Sequence, residues 1–226
     1  MKELEKIDRR TLRTRLRLRA ALAQETQERG LEAITVSNLT ERADINRRTF
    51  YSHYKDVPDL INKCESEALE ELIAMLDSVK DTSLDDLFAA LKQGEGYPGA
   101  ETVFTFLKEH ADFMSAMLGP KGDSSLCIKL KQVIWDHLSS RFLKGVDPRV
   151  LGPIFNYYVE YNISAVLGVI QRWLATGMQE SPKEMGRLVT VIMFVRPGDL
   201  YGKPLEAQTF SLFSLLNSDF LEAFNE

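Results

Sequence analysis

The sequence predicts an all-α protein with a small N-terminal three-helix head, carrying a helix-turn-helix, and a larger helical body. Three observations predict it. Apolar residues recur at 3.6-residue spacing through most of the chain, and no run alternates convincingly at period two. Two short capped segments meet at a tight turn near residues 35–54. Charge is also unevenly placed: residues 1–55 carry 13 Lys and Arg against 8 Asp and Glu, whereas the other 171 carry 15 against 25, within a net charge of -5. A basic head on an acidic body attracts a polyanion at one end and repels it elsewhere.

Taking the elements in order, residues 9–29 form an amphipathic helix. Leu12, Leu16, Ala20 and Ala23 make its expected apolar stripe, Leu18 and Leu22 lie beside it, and Gly30 ends it. Arg9, Arg13 and Arg17 form one i,i+4 row and Arg15 and Arg19 another, and a bound polyanion would relieve their mutual repulsion. Thr35 caps the next helix, with Asn38 at its third position and Val36, Leu39 and Ala43 on one face. Asp44 and Ile45 interrupt the periodicity, and Asn46 caps a helix from Arg47 to Tyr54 with Phe50 and Tyr54 facing inward. In a helix-turn-helix the second helix enters the major groove, and its first residues, here Arg47 and Arg48, reach base edges.

A long amphipathic helix over 59–79, with Leu60, Ile61, Cys64, Ala68, Leu72, Met75 and Leu76 on its apolar side, connects head to body. Glycine and proline clusters then divide the body into helices near 83–93, 100–118, 123–143, 148–176 and 181–195. The 148–176 helix is apolar nearly all round, so a partner subunit is expected to cover part of it. After a turn-rich break at 196–204, an apolar helix is expected over 205–224. It would add to the dimer interface, cover a pocket mouth, or be a terminal appendage.

Several function classes are excluded. With 44% hydrophobic residues the chain can build a core without staples. Cys64 and Cys127 stand alone, so neither a disulfide framework nor a zinc site is expected, and no cofactor is. The charged N-terminus and the lack of an apolar run of roughly 18 residues argue against secretion and membrane insertion, and a reducing cytoplasm is the expected location. His53, His110 and His137 fall on separate helices, and there is no phosphate loop or GxSxG elbow, so an enzyme is not expected.

The run from Ile34 to Leu60, above all Thr49-Phe-Tyr-Ser-His-Tyr54, closely resembles the DNA-binding domain of the tetracycline-repressor (TetR) family. A weaker likeness through Phe106–Phe113, Tyr157–Gly177 and Ser181–Met185 is to the branch that includes regulators of dihydroxyacetone kinase type. The resemblance implies domains at 1–60 (DNA binding) and 61–195 (dimerisation and ligand binding), with 196–226 as an addition of unassigned role. It implies a ligand-responsive repressor that binds a pseudo-palindromic operator in double-stranded DNA as a homodimer. The alternative is a helical co-regulator or adaptor acting through protein contacts.

By position, Arg47 and Arg48 match residues that meet base edges, and Tyr51 one that touches phosphate and sometimes a base. Thr35, Ser37, Thr49 and His53 match phosphate contacts, and Ser52 and Lys55 complete the expected DNA-binding set. Phe104, Phe113, Met117, Trp135, Tyr157 and Tyr161 are candidate lining for a small-molecule effector site, or plain core. Tyr158, Val166, Ile170, Trp173, Met185, Leu188 and Ile192 are the candidate dimer interface. Three departures stand out. Val57 occupies a position where relatives usually carry a phosphate-binding lysine, with Lys55 placed to substitute. Asp44 replaces a turn glycine. Glu25, Thr26 and Gln27 stand where relatives keep apolar residues, which predicts loose packing there.

Overall fold

The computed structural model describes residues 2–83, 86, 87, 89, 90, 93, 95–142 and 152–194. Among these the secondary structure is helical, with no strand. The expected helix over 205–224 and the break before it lie outside the described residues, as does much of the segment near 83–93.

The head comprises α1 (Lys2–Arg29), a 3-10 turn (Leu31–Ala33), α2 (Val36–Arg42) and α3 (Arg47–His53). The connector α4 runs from Val57 to Asp77. The body follows as α5 (Pro98–Glu109), α6 (Ala111–Met117), α7 (Ser124–Phe142), α8 (Gly152–Ala175) and α9 (Pro182–Phe194). The single helix expected over 100–118 is two, because the chain breaks at His110, whose ψ is 28°. Its backbone N–H still closes on Phe106 O at 3.0 Å, so α6 continues from α5 with a bend.

One apolar core runs through head and body. Leu18, Leu22, Leu39, Phe50 and Leu60 are fully buried in the head, and Leu72, Leu76, Phe104, Phe106, Leu107 and Met114 continue it along α4 into α5 and α6. Burying a large apolar side chain contributes roughly 1.5–3 kcal/mol, so this continuous column favours docking of head on body. Two pairings dominate: α5 packs along α9, and α1 along α6. The first is close enough that a Cβ on Gly186 would stand 2.7 Å from Glu101 N and 2.8 Å from Glu101 Cα.

The face buried by α1 differs from the stripe expected. Of the expected stripe Ala23 is buried, but Leu12 and Leu16 are more than half exposed and Ala20 is exposed, whereas Leu18, Ala21, Leu22, Glu25 and Thr26 are buried. The amphipathic signal of this helix is diluted by arginines on both sides, and tertiary packing selects the face. Arg15 pairs with Glu67 on α4. Arg19 lies over the Phe113 ring at 4.4 Å, and burial lowers its pKa. Half of the expected polyanion-facing arginine rows therefore serves the docking of α1 on α4 and α6.

The loose packing expected around Glu25 is also corrected. Its carboxylate is buried against α2, accepting from Arg42 Nε at 2.6 Å, with Arg29 Nε 3.0 Å away. Arg42 also forks onto Glu28. Thr26, fully buried, donates its hydroxyl to Leu22 O at 2.8 Å.

Candidate nucleic-acid interface and ligand cavity

The helix-turn-helix is assembled by local hydrogen bonds legible in the sequence. Thr35 Oγ1 accepts from Asn38 N at 3.3 Å while Asn38 Oδ1 accepts from Thr35 N at 3.2 Å, a reciprocal capping box that starts α2. Asp44 takes a φ of 51° and turns the chain, and Ile45 N donates to Thr40 O at 3.0 Å. Asn46 Oδ1 accepts from Arg48 N at 2.8 Å and starts α3. Phe50 and Tyr54 anchor α3 inward, their ring centroids 5.7 Å apart.

With the inward face occupied, about 100° per residue places positions 47, 51, 48 and 52 on one outward arc. Arg47, Arg48, Tyr51 and Ser52 are exposed there. Arg47 donates to Ser37 Oγ at 2.7 Å, bringing an expected phosphate-contacting residue of α2 next to an expected base-reading one of α3. Thr35 and Lys55 are exposed at the two ends of this surface, and Thr49 and His53 are half-buried on its flank. Val57 is half-buried against the core, so the residue in the lysine position packs inward. A nearby cation that reading the sequence missed is Lys63, nearly two turns further along α4. Its Nζ donates to His53 O at 3.1 Å and to Asp59 Oδ2 at 2.9 Å. Its i,i+4 spacing from Asp59 was the available signal.

The body holds a cavity of about 170 Å³ between α4, α5, α7, α8 and α9, with apolar walls. Phe104 and Trp135, both expected at a ligand site, line it, and Trp135 lies 6.0 Å from Phe155 ring to ring. Phe113 and Met117 are buried in the core near α1 instead, and Tyr157 and Tyr161 point outward, 77% and 64% exposed. Missed in the sequence were Tyr97 and His137, forty residues apart, whose hydroxyl and Nε2 meet at 2.7 Å. Burial, followed by the nearby Arg141 charge, lowers the His137 pKa to about 4, and burial raises that of Tyr97 to about 12. Both are neutral near pH 7.

Of the candidate interface residues, Ile170, Trp173 and Met185 are buried within the protomer's own core, and Trp173 packs edge-on against Phe104. Val166 lines the cavity, as does Tyr158, which remains 37% exposed. Leu188 is exposed and Ile192 half-buried on α9. The core residues were drawn from a helix apolar on nearly every side, where periodicity cannot say which side its own domain covers. Among the described residues no cluster of potential ligands could hold a metal, and no helix is long and apolar enough to cross a membrane.

A capped helix-turn-helix docked on an α-helical body is an arrangement shared with known transcriptional regulators. Residues 95–194 match the sequence profile of the transcriptional regulator C-terminal region of TetR type. No curated protein matches the chain in sequence. Among solved structures, a TetR regulator from Streptococcus agalactiae superposes with a TM-score of 0.54 at 15% identity, covering 84% of this chain and 98% of that one. A TetR-family regulator from Streptomyces coelicolor gives 0.53 at 17%, covering 80% and 78%. A dihydroxyacetone kinase operon activator gives 0.50 at 16%, covering 80% and 93%. Over residues 95–194 the chain thus matches that family's C-terminal region, and its fold is the one those regulators share. Proteins of this type are transcription factors rather than enzymes.

Proposed function

We propose that the protein is a ligand-responsive repressor that binds a pseudo-palindromic operator as a cytoplasmic homodimer. In this reading residues 1–60 read DNA, residues 61–195 dimerise and sense, and residues 196–226 are an addition of unassigned role. The observation that carries it is the outward arc of α3, where Arg47, Arg48, Tyr51 and Ser52 stand exposed on a helix whose opposite face is locked in the core. Thr35, Ser37, Thr49, His53 and Lys55 surround that arc and fit phosphate contacts, which set register rather than sequence choice. Exposed Tyr157, Tyr161 and Leu188 on α8 and α9 supply an apolar surface for a second copy.

Ligand response is supported by the route from the cavity to the connector. Leu76, on the last turn of α4, lines the cavity. Arg141 Nη2 donates to Leu76 O at 3.0 Å, and its Nε reaches His137 Nδ1 at 3.4 Å. A ligand that shifts this corner would move α4 and change the separation of two recognition helices set roughly 34–36 Å apart, one helical turn of DNA.

The test is to select bound sequences from a random DNA pool and measure variants on the selected site and on unrelated DNA. Arg47→Ala and Arg48→Ala are each expected to cost about 1–3 kcal/mol on the selected site and much less on unrelated DNA. Equal losses on both would overturn the base-reading assignment.

A further inference from the structure

We propose that the cavity in the body is built for a small uncharged ligand, an apolar ring or chain carrying one hydroxyl group, and that it rejects carboxylates, phosphates and ammonium groups. The inference deepens the regulator reading and rests on it only for the consequence of binding. The ligand class follows from the cavity.

Size comes first. A cavity of about 170 Å³, at roughly 10–15 Å³ for each water-sized group, has room for on the order of a dozen non-hydrogen atoms. The lining adds the chemistry: Phe104, Trp135 and Phe155 with aliphatic side chains, and no Asp, Glu, Lys or Arg among the described lining residues. A charge placed there without a partner would lose its hydration and gain nothing in return. The adjacent cation, Arg141, sits behind His137 with its guanidinium already on Asp81 and the Leu76 carbonyl.

The polar groups that face the cavity are neutral. Ser139 donates to Asp136 O at 3.2 Å and Thr190 to Gly186 O at 2.6 Å, so these hydroxyls are turned to backbone. Asn162 donates to Tyr158 O at 2.8 Å, which leaves its amide oxygen to accept from a ligand. Tyr97 and His137 form the opposite polar corner. That corner depends on Gly99, where a Cβ would come 2.8 Å from His137 Nε2. Elements α5, α7 and α8 thus each bring a neutral polar or space-making residue to an otherwise apolar chamber.

The experiment uses the full chain without DNA and two probes of one shape, 2-naphthol and 2-naphthoate, by calorimetry and thermal shift near neutral pH. 2-Naphthol is expected to bind once per chain and raise the Tm, with 2-naphthoate weaker by about a hundredfold, the loss expected of an unpaired buried charge. Val159→Phe on α8 and Leu138→Trp on α7, at half-buried lining positions, should each abolish 2-naphthol binding with the helical circular dichroism unchanged. Equal or tighter binding of 2-naphthoate, binding of neither probe, or undiminished binding to both folded variants would overturn the proposal. Because no DNA is present, those outcomes leave the operator-binding reading untouched, and a failed operator experiment leaves the ligand class standing.

Discussion

His137 shows how one buried side chain links the cavity to stability. Its folded pKa of about 4 lies below the ordinary 6.5, so below pH 6.5 the unfolded chain binds a proton that the folded chain refuses. Stability therefore falls as the pH drops from about 6.5 towards 4. Between pH 7 and pH 5 this one group should remove about 2 kcal/mol. Urea unfolding of the wild type and His137→Gln at both values checks the sign, because the variant should lose less on acidification. An identical loss in both would show that His137 is not the responsible group. Glu65 is a different buried ionisable residue. Its carboxylate pairs with Lys129 Nζ at 2.6 Å, and burial raises its pKa against the pull of that lysine. It ties α4 to α7. Cys64 beside it is raised to about 11 by burial, which makes it an inert packing thiol.

At the scale of elements, the head is held by caps and by one strained turn. Asp44 pays for the turn with a φ of 51°, where a Cβ is disfavoured. Asp44→Gly should therefore stabilise the protein by about 0.5–1 kcal/mol. Asn46→Ala should destabilise it by about 1 kcal/mol through loss of the cap on α3. Chemical denaturation of the two variants separates these effects, and an Asp44→Gly protein less stable than wild type would contradict the strain argument. The first helix is held differently, by pairs on three sides: Arg15 with Glu67, Glu25 with Arg42, and Lys121 Nζ on the carbonyls of Gln27 and Glu28 at 3.2 and 2.9 Å. The last of these joins α1 to the turn before α7, so head and body share a polar seam beside their common apolar core.

For the molecule as a whole, the exposed aromatic and aliphatic residues of α8 and α9 bear on assembly. Tyr157, Tyr161 and Leu188 are large apolar side chains left open by one chain, and a second copy would remove them from water. Tyr161→Glu combined with Leu188→Glu should convert a dimer to monomers in sedimentation velocity and weaken operator binding with it. A double variant that sediments as the wild type does would remove these helices from the interface. The cavity opens between the same body helices, and its wall shares Tyr158 with the exposed side of α8. Ligand binding and assembly are therefore expected to influence one another.

The amino-acid sequence by itself determined the helical class, the head with its caps at Thr35 and Asn46, the turn at Asp44, and the outward arc of α3. These rest on interactions spanning at most five residues, and on a periodicity that one buried face imposes. Only the tertiary structure decided which side of α1 and α8 faces the core, that Glu25 is an ion-pair centre, and that Tyr97 meets His137 at one corner of a cavity. A helix rich in arginine on both sides, or apolar all round, carries no single stripe. Partners forty residues apart leave no local spacing to read, and only packing could choose among these arrangements.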